Sequence, residues 1–137
     1  MQMNFDDMIL PDDHIDFEKI SFDKWLSRHS GYERWDGFLV KTFRIVGVQI
    51  IVCKNPHLKD YKNDHWWNQR KWCACESETT LWIVQPCDGK ETKEAVANLA
   101  IKRILEFGIK DTHKAIELRK KEIKQRMKGH ANENRNP

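Results

Sequence analysis

The residues best suited to contact a partner lie in one irregular stretch, HLKDYKNDHWWNQR, at positions 57–70. This stretch combines large aromatic side chains with cationic ones and has the period of neither a strand nor a helix. Tryptophan, tyrosine and arginine supply most of the binding energy at protein interfaces, and aromatic rings also stack on unpaired bases. The alternative is that the rings simply cover the sheet. We predict a partner-binding site formed by Tyr61, His65, Trp66, Trp67, Arg70 and Trp72.

Zinc binding is the second chemistry that the residue types allow. Structural zinc takes four nitrogen or sulfur ligands, usually as C-x2-C or C-x3-H pairs. Cys53 and His57 have such a spacing, whereas Cys73 and Cys75 lie on one side of a strand, roughly 7 Å apart by the strand rise. Because the N-terminus lacks a secretion signal, free thiols in a reducing cytoplasm are the favoured interpretation. We therefore expect no metal and no cofactor.

Positive charge near the C-terminus allows a third kind of site. Residues 110–137 contain nine Lys or Arg against four Asp or Glu, whereas residues 1–18 contain six acidic residues and no basic one. Clustered positive charge can bind nucleic acid by releasing counterions, or contact an acidic protein surface. The alternative is a solvated helix, interrupted by Glu117 and Glu122. The predicted basic patch comprises Lys90, Lys93, Arg119, Lys120 and Lys124.

Catalytic motifs are scarce. The chain contains no Gly-rich phosphate loop, no H-E-x-x-H and no G-x-S-x-G sequence. Asp60, Asp64 and His65 have the residue types of a nuclease-like metal cluster, but they are three polar residues of a polar loop. We expect a protein that is not an enzyme, with a metal-dependent nuclease as the third hypothesis.

The strands that must position these residues are predicted from β-branched and aromatic runs. Residues 37–53 form a run too long for one strand, which predicts two strands or one that bends. Residues 71–76 and 79–85 predict an antiparallel hairpin. Residues 22–30 predict a short helix instead, because apolar side chains recur at helical spacing after a capping serine.

Two helices are predicted to follow the strands. Asp88 or Thr92 caps the first, which runs without Gly or Pro to Phe107 and carries an apolar stripe. Gly108 predicts a left-handed helix stop. Asp111 caps a second, charge-rich helix that ends near residue 128. The prediction is an α+β fold in the order α-β-β-β(-β)-α-α, an antiparallel sheet of three to four strands with the helices on one face.

The domain boundaries follow from the same patterns. Residues 1–20 are predicted to be an irregular acidic segment, 21–128 a single domain, and 129–137 a disordered tail. The chain is 39% apolar and 33% charged with a net charge of +3, a composition typical of globular proteins. It has no long apolar run, so we expect a cytoplasmic protein without a membrane span.

The segment DGKETKEAVANLAIKRIL resembles the last turn and helix of double-stranded-RNA-binding domains. That resemblance implies phosphate contacts by Lys90, Lys93 and Lys102, although Glu91 and Glu94 depart from the pattern. The same segment is similar to the C-terminal helix of HicB-type antitoxins and related small phage proteins. Both resemblances cover about thirty residues around 79–109 and imply an antiparallel sheet joined to a helix.

These features together predict a non-enzymatic binding module. Small tryptophan-rich domains of this kind resemble phage and mobile-element accessory proteins, so we expect an inhibitor that blocks a protein or ribonucleoprotein complex such as a host defence complex. A nucleic-acid-binding domain is the alternative hypothesis. The sequence does not indicate an oligomeric state.

Overall fold

A computed structural model describes residues 15–26, 30–42, 44, 45, 47–56 and 71–135. These residues form five strands, a short 3-10 turn and two helices. The strands are β1 (Asp16–Leu26), β2 (Gly31–Lys41), β3 (Ile50–Cys53), β4 (Cys73–Glu76) and β5 (Trp82–Val84). The 3-10 turn (Pro86–Asp88) leads into helices α1 (Lys93–Phe107) and α2 (Ile109–Arg135).

The strands form one antiparallel sheet in the order β1-β2-β3-β4-β5, so each strand pairs with its neighbours in the chain. The hairpin β1–β2 is long and regular: its eleven residue pairs run from Asp16–Lys41 to Leu26–Gly31 without a bulge. The later strands are only three or four residues long. The α+β class and the antiparallel sheet predicted from the sequence are confirmed.

The sheet is strongly curled. Trp35 of β2 and Trp82 of β5 have ring centroids 6.1 Å apart, although three strand spacings, about 14 Å in a flat sheet, separate their strands. At the end of β1, the Trp25 N–H donates to Thr80 Oγ1 at 2.7 Å, which ties the first strand to the β4–β5 turn. The curl therefore makes one face of the sheet concave, and we call this enclosed side the inner face.

Each face of the sheet has its own core. The outer face is covered by α1, whose buried residues are Val96, Ala97, Ala100, Ile101 and Ile104, together with Ile116 of α2. The enclosed inner face contains Phe22, Trp35, Ile51 and three buried cysteines. Side chains alternate between the two cores along β3 and β4, as expected for strands buried on both faces.

The start of α1 agrees with the prediction, because Thr92 Oγ1 accepts from the Ala95 N–H and so caps the helix. Gly108 has the predicted positive φ of 103°, but its ψ of 133° lies outside the left-handed helical region. The second helix begins at the next residue, so Asp111 lies in its first turn and is not the cap. One residue thus separates the two helices.

The predicted helix at residues 22–30 is wrong, because residues 22–26 belong to β1. Pairing with β2 along all eleven residues outweighs the helical spacing of the apolar side chains. The sheet therefore gains a fifth strand at its N-terminal end. This strand also takes in residues 16–20 of the segment predicted to be irregular.

At the other end of the chain, α2 continues to Arg135, beyond residue 128 where the predicted helix stops and into the tail predicted to be disordered. Within the described ranges, no helix is long and apolar enough to cross a membrane.

Candidate functional site

Most of the predicted aromatic site lies outside the described residues: Tyr61, His65, Trp66, Trp67 and Arg70, as well as the nuclease-like Asp60 and Asp64. Trp72 is described and half-buried against the outer core. Its ring lies 5.9 Å from that of Phe38, and the ammonium groups of Lys54 and Lys93 lie 4.9 and 5.9 Å from its centroid. Trp72 therefore packs within the domain, at the point where the chain returns from residues 57–70.

The residues of the predicted basic patch lie on separate elements. Lys90 precedes α1 and bridges to the backbone of Trp72, and the Lys93 ammonium lies 4.0 Å from the Phe38 ring centroid. Lys120 on α2 forms ion pairs with Glu78 at 2.9 Å and Glu117 at 3.2 Å. Hydrogen bonds to Glu78 and Glu117 raise the pKa of Lys120.

The remaining two members of the patch lie on the same helix as Lys120. Arg119 pairs with Glu122 at 2.9 Å, and Lys124 is exposed. Three members of the predicted basic patch, Lys93, Arg119 and Lys120, thus already have partners within the chain.

The three described thiols form one buried cluster. Cys53 and Cys73 are opposite each other on β3 and β4, and Cys73 Sγ donates to the Cys53 carbonyl at 3.1 Å. Cys53, Cys73 and Cys75 are all fully buried. The hydrogen bond to Cys53 and burial in the apolar interior raise the pKa of the Cys75 thiol. All three thiols are shielded from solvent, which limits their reactivity in the folded chain.

A metal site is not seen among the described residues, since no group of three His, Cys, Asp or Glu side chains there could hold an ion. His57, which the sequence paired with Cys53, lies outside them. The thiol cluster instead borders a buried lysine. Lys24 is 5% exposed, its Nζ donates to the Trp25 carbonyl at 3.0 Å, and the Trp82 ring centroid lies 4.5 Å away. Burial lowers the pKa of Lys24.

The sequence did not predict a groove that lies between β5 and the two helices. Its volume is about 370 Å³, within the size range of ligand-binding clefts. The sheet edge, the end of α1 and the first turns of α2 line it with Glu76, Leu81, Trp82, Ile83, Arg103, Ile104, Phe107, Thr112, Ala115 and Ile116. We call this feature the β5 groove.

The polar groups of the β5 groove are already bonded within the protein. The buried Glu76 carboxylate accepts from the Glu78 N–H at 2.6 Å, and from the Thr79 N–H and hydroxyl at 2.8 and 2.7 Å. Arg103 donates to the Ile83 carbonyl at 2.9 Å and lies 3.5 Å from Asp88. The surface that the groove offers to a ligand is therefore apolar.

Phe107 forms an exposed rim of the β5 groove. It continues the apolar stripe predicted for α1, yet 60% of its surface is exposed. The reason is local: the chain turns at Gly108 and starts α2 at once, which leaves the last residue of α1 at the junction of the helices. A large aromatic side chain beside a helix-ending glycine is the one signal of this groove that the sequence contains.

Comparison with known proteins adds no assignment: no family model, no curated protein and no solved structure matches the chain. The resemblance of residues 79–109 to HicB-type and double-stranded-RNA-binding domains stays a prediction.

Proposed function

We propose that this chain is a non-enzymatic binding module that holds an apolar segment of a protein partner in the β5 groove. The observation that supports it is the groove itself, which is apolar, about 370 Å³ in volume and bordered by the exposed Phe107. Exposed apolar surface of this kind is typical of interaction sites. The partner is a protein or a ribonucleoprotein complex, which the bound module would block, as a phage-type inhibitor of host defence does.

An amphipathic helix suits the β5 groove better than an added strand. The Ile83 carbonyl, on the sheet-edge strand, already accepts from Arg103, so the backbone there is not free to extend the sheet. Exposed apolar surface continues along α2, where Leu118 is 65% exposed and lies one turn beyond Ala115. Grooves between packed elements commonly receive the apolar face of such a helix.

The positive charge of α2 predicts which side chains the bound helix carries on the face that points away from the groove. The helix α2 carries nine Lys or Arg against four Asp or Glu. An acidic face on the partner segment would therefore be attracted to this side of the molecule, and the attraction would weaken with added salt.

The experiment selects twelve-residue peptides from a random displayed library on the purified chain and measures their affinity for two variants. Phe107→Asp places a charge on the rim of the groove. Leu105→Asp changes an exposed apolar residue of the same helix that does not line it. The selected peptides are expected to carry apolar residues at helical spacing. Phe107→Asp should lower their affinity roughly 30-fold, the effect of losing an interface hot spot.

Leu105→Asp should leave the affinity within about threefold of the unchanged chain. Circular dichroism and thermal melting of both variants verify the fold. Equal loss in the two variants, or full binding by Phe107→Asp, would show that the groove is not the site.

Nucleic-acid binding is the second candidate, supported by the exposed Lys121, Lys124 and Lys128 on α2. If this candidate holds, a double-stranded RNA probe should bind at low salt and lose affinity steeply as salt is added. The variant Lys124→Gln should reduce that salt dependence, whereas Phe107→Asp should not. No retention of the probe at low salt would eliminate this candidate.

A further inference from the structure

Among the described residues, the strand at the other edge of the sheet, β1, is unpaired on its outer side from Phe17 to Asp23. β1 pairs only with β2, and among the described residues no other strand lies beside it. The Trp25 N–H donates to Thr80, so it points away from β2. Backbone groups alternate along a strand, so the N–H and C=O of Phe17, Lys19, Ser21 and Asp23 also point to the open edge.

Two of the usual features that prevent strand addition, proline and a bulge, are absent from β1, although charged side chains such as Lys19 are present. β1 contains no proline, and its register with β2 is continuous. Natural edge strands are normally short, bulged or covered, because a long regular edge can pair with another chain. The exposed side chains beside this edge are Lys19, Ser21 and Asp23. Asp23 also pairs with Arg34 of β2 at 3.3 Å, an exposed ion pair that leaves the carboxylate open to a second cation.

The pattern of these side chains is self-complementary. In an antiparallel pair, residues whose backbone groups point outward must face one another, which restricts the possible two-fold registers. A register centred on Ser21 places Lys19 opposite Asp23 of the second copy, and does so twice because of the symmetry. A register centred on Lys19 would instead place the two lysines together, and one centred on residue 20 would give no ion pair.

We propose that β1 pairs with β1 of a second copy of this chain, antiparallel and centred on Ser21, so that two five-stranded sheets join into one of ten strands. The ladder ends after Asp23, because the next outward-pointing N–H, that of Trp25, is bonded to Thr80. It is thus short, and a small interface of this kind gives a weak dimer that forms at high protein concentration.

Sedimentation equilibrium on the full chain at concentrations up to about 0.5 mM tests the proposal, because small interfaces associate weakly. The unchanged chain should show a monomer–dimer equilibrium. Lys19→Asp and Asp23→Lys each place like charges opposite one another twice, and each should weaken the dimer by about tenfold. The double variant restores both pairs and should return to within about threefold of the original affinity.

Ser21→Pro tests the backbone ladder. It removes an N–H that points to the second copy and is not used in pairing with β2, and edge strands accept proline at such positions. Dimer formation should be lost, whereas Ser21→Ala, which removes only the hydroxyl bonded to Asp36, should retain it. If Ser21→Pro does not fold, the single and double charge variants of Lys19 and Asp23 test the proposal without it.

A chain that stays monomeric over the whole range would overturn the proposal. So would a dimer of equal strength in the single and double charge variants, since it would form through another surface. Phe107→Asp, at the opposite edge of the sheet, should leave the dimer unchanged, which separates this inference from the proposed function.

Discussion

Replacing Lys24 by methionine should stabilise the protein at neutral pH. The Lys24 ammonium is almost fully buried on the inner face of the sheet. Its contacts are a hydrogen bond to the Trp25 carbonyl and the faces of the Trp82 and Trp35 rings, at 4.5 and 5.9 Å from their centroids. No carboxylate among the described residues forms an ion pair with it. Methionine keeps the length of the side chain and removes the charge.

Replacing Lys24 by methionine changes the free energy of unfolding in two opposing ways. Losing the hydrogen bond costs about 1 kcal/mol, and losing the ring contacts costs up to about 2 kcal/mol. Burial of an ammonium group costs several kcal/mol, and methionine avoids that cost. Burial also lowers the pKa of Lys24, which indicates that desolvation exceeds the favourable contacts of the charged form. We expect Lys24→Met to raise the free energy of unfolding by roughly 1–3 kcal/mol.

The effect should depend on pH with a definite sign. Because the pKa of Lys24 in the folded chain lies below its ordinary value of 10.5, the unfolded chain binds more protons between these two values. The stability of the unchanged protein therefore rises with pH in that window. The Lys24→Met variant lacks this rise in stability with pH. The difference in the free energy of unfolding that favours the variant should therefore shrink as the pH approaches about 10.

Urea unfolding at about pH 7 and about pH 10 measures both effects. Lys41→Met serves as the control, since the Lys41 side chain is 56% exposed and forms a surface ion pair with Glu18 at 3.2 Å. That control should change stability by less than about 0.5 kcal/mol at either pH. The reasoning is refuted if Lys24→Met is less stable than the unchanged protein by more than about 1 kcal/mol at neutral pH, or if the gap does not change with pH.

Two further predictions concern the core. A Cβ at Gly37 would lie 2.8 Å from the Val52 carbonyl oxygen, so Gly37→Ala should lower the free energy of unfolding by roughly 2 kcal/mol or more. Gly129→Ala in α2 is the control, because no described atom outside the helix's own backbone lies within 4 Å of the added Cβ, and it should raise the free energy of unfolding slightly. Equal melting shifts in the two variants would contradict the packing argument. The buried thiols should resist alkylation until urea unfolds the chain, and mass spectrometry of the folded protein should find no label on Cys53, Cys73 and Cys75. Rapid labelling of any of them would show that the inner face opens to solvent.

The sequence predicts the second half of the fold well because its signals there are local. Thr92 caps α1 by bonding a backbone N–H three residues away, and Gly108 ends the helix through its own backbone angle. The β4–β5 hairpin needs only a short turn. None of these features depends on residues that are distant in the chain.

The first strand could not be predicted in this way. Phe22, Trp25 and Leu26 have helical spacing, and the one residue whose burial would reveal an alternating strand is Lys24, which any hydrophobic pattern counts as exposed. Its burial depends on Trp82, which lies 58 positions later in the chain. Tertiary contacts of this kind override local preference.

The β5 groove is hidden in the sequence for the same reason. Its walls come from residues near 81, 104 and 115, and each of them is unremarkable in its own segment. The aromatic loop, in contrast, is predicted from composition alone, and most of it lies outside the described residues.

The hydrogen bond between Trp25 and Thr80 has a consequence for how the chain assembles. It joins residues 55 positions apart, whereas Glu76 organises the β4–β5 turn through bonds to residues two and three positions away. The entropy lost on closing a loop grows with its length, so local contacts form before distant ones. The turn can therefore form early, while the first hairpin has to reach it later. We expect the Lys24 ammonium to stay hydrated until that contact forms, so that the cost of burying it falls on the step in which the sheet closes.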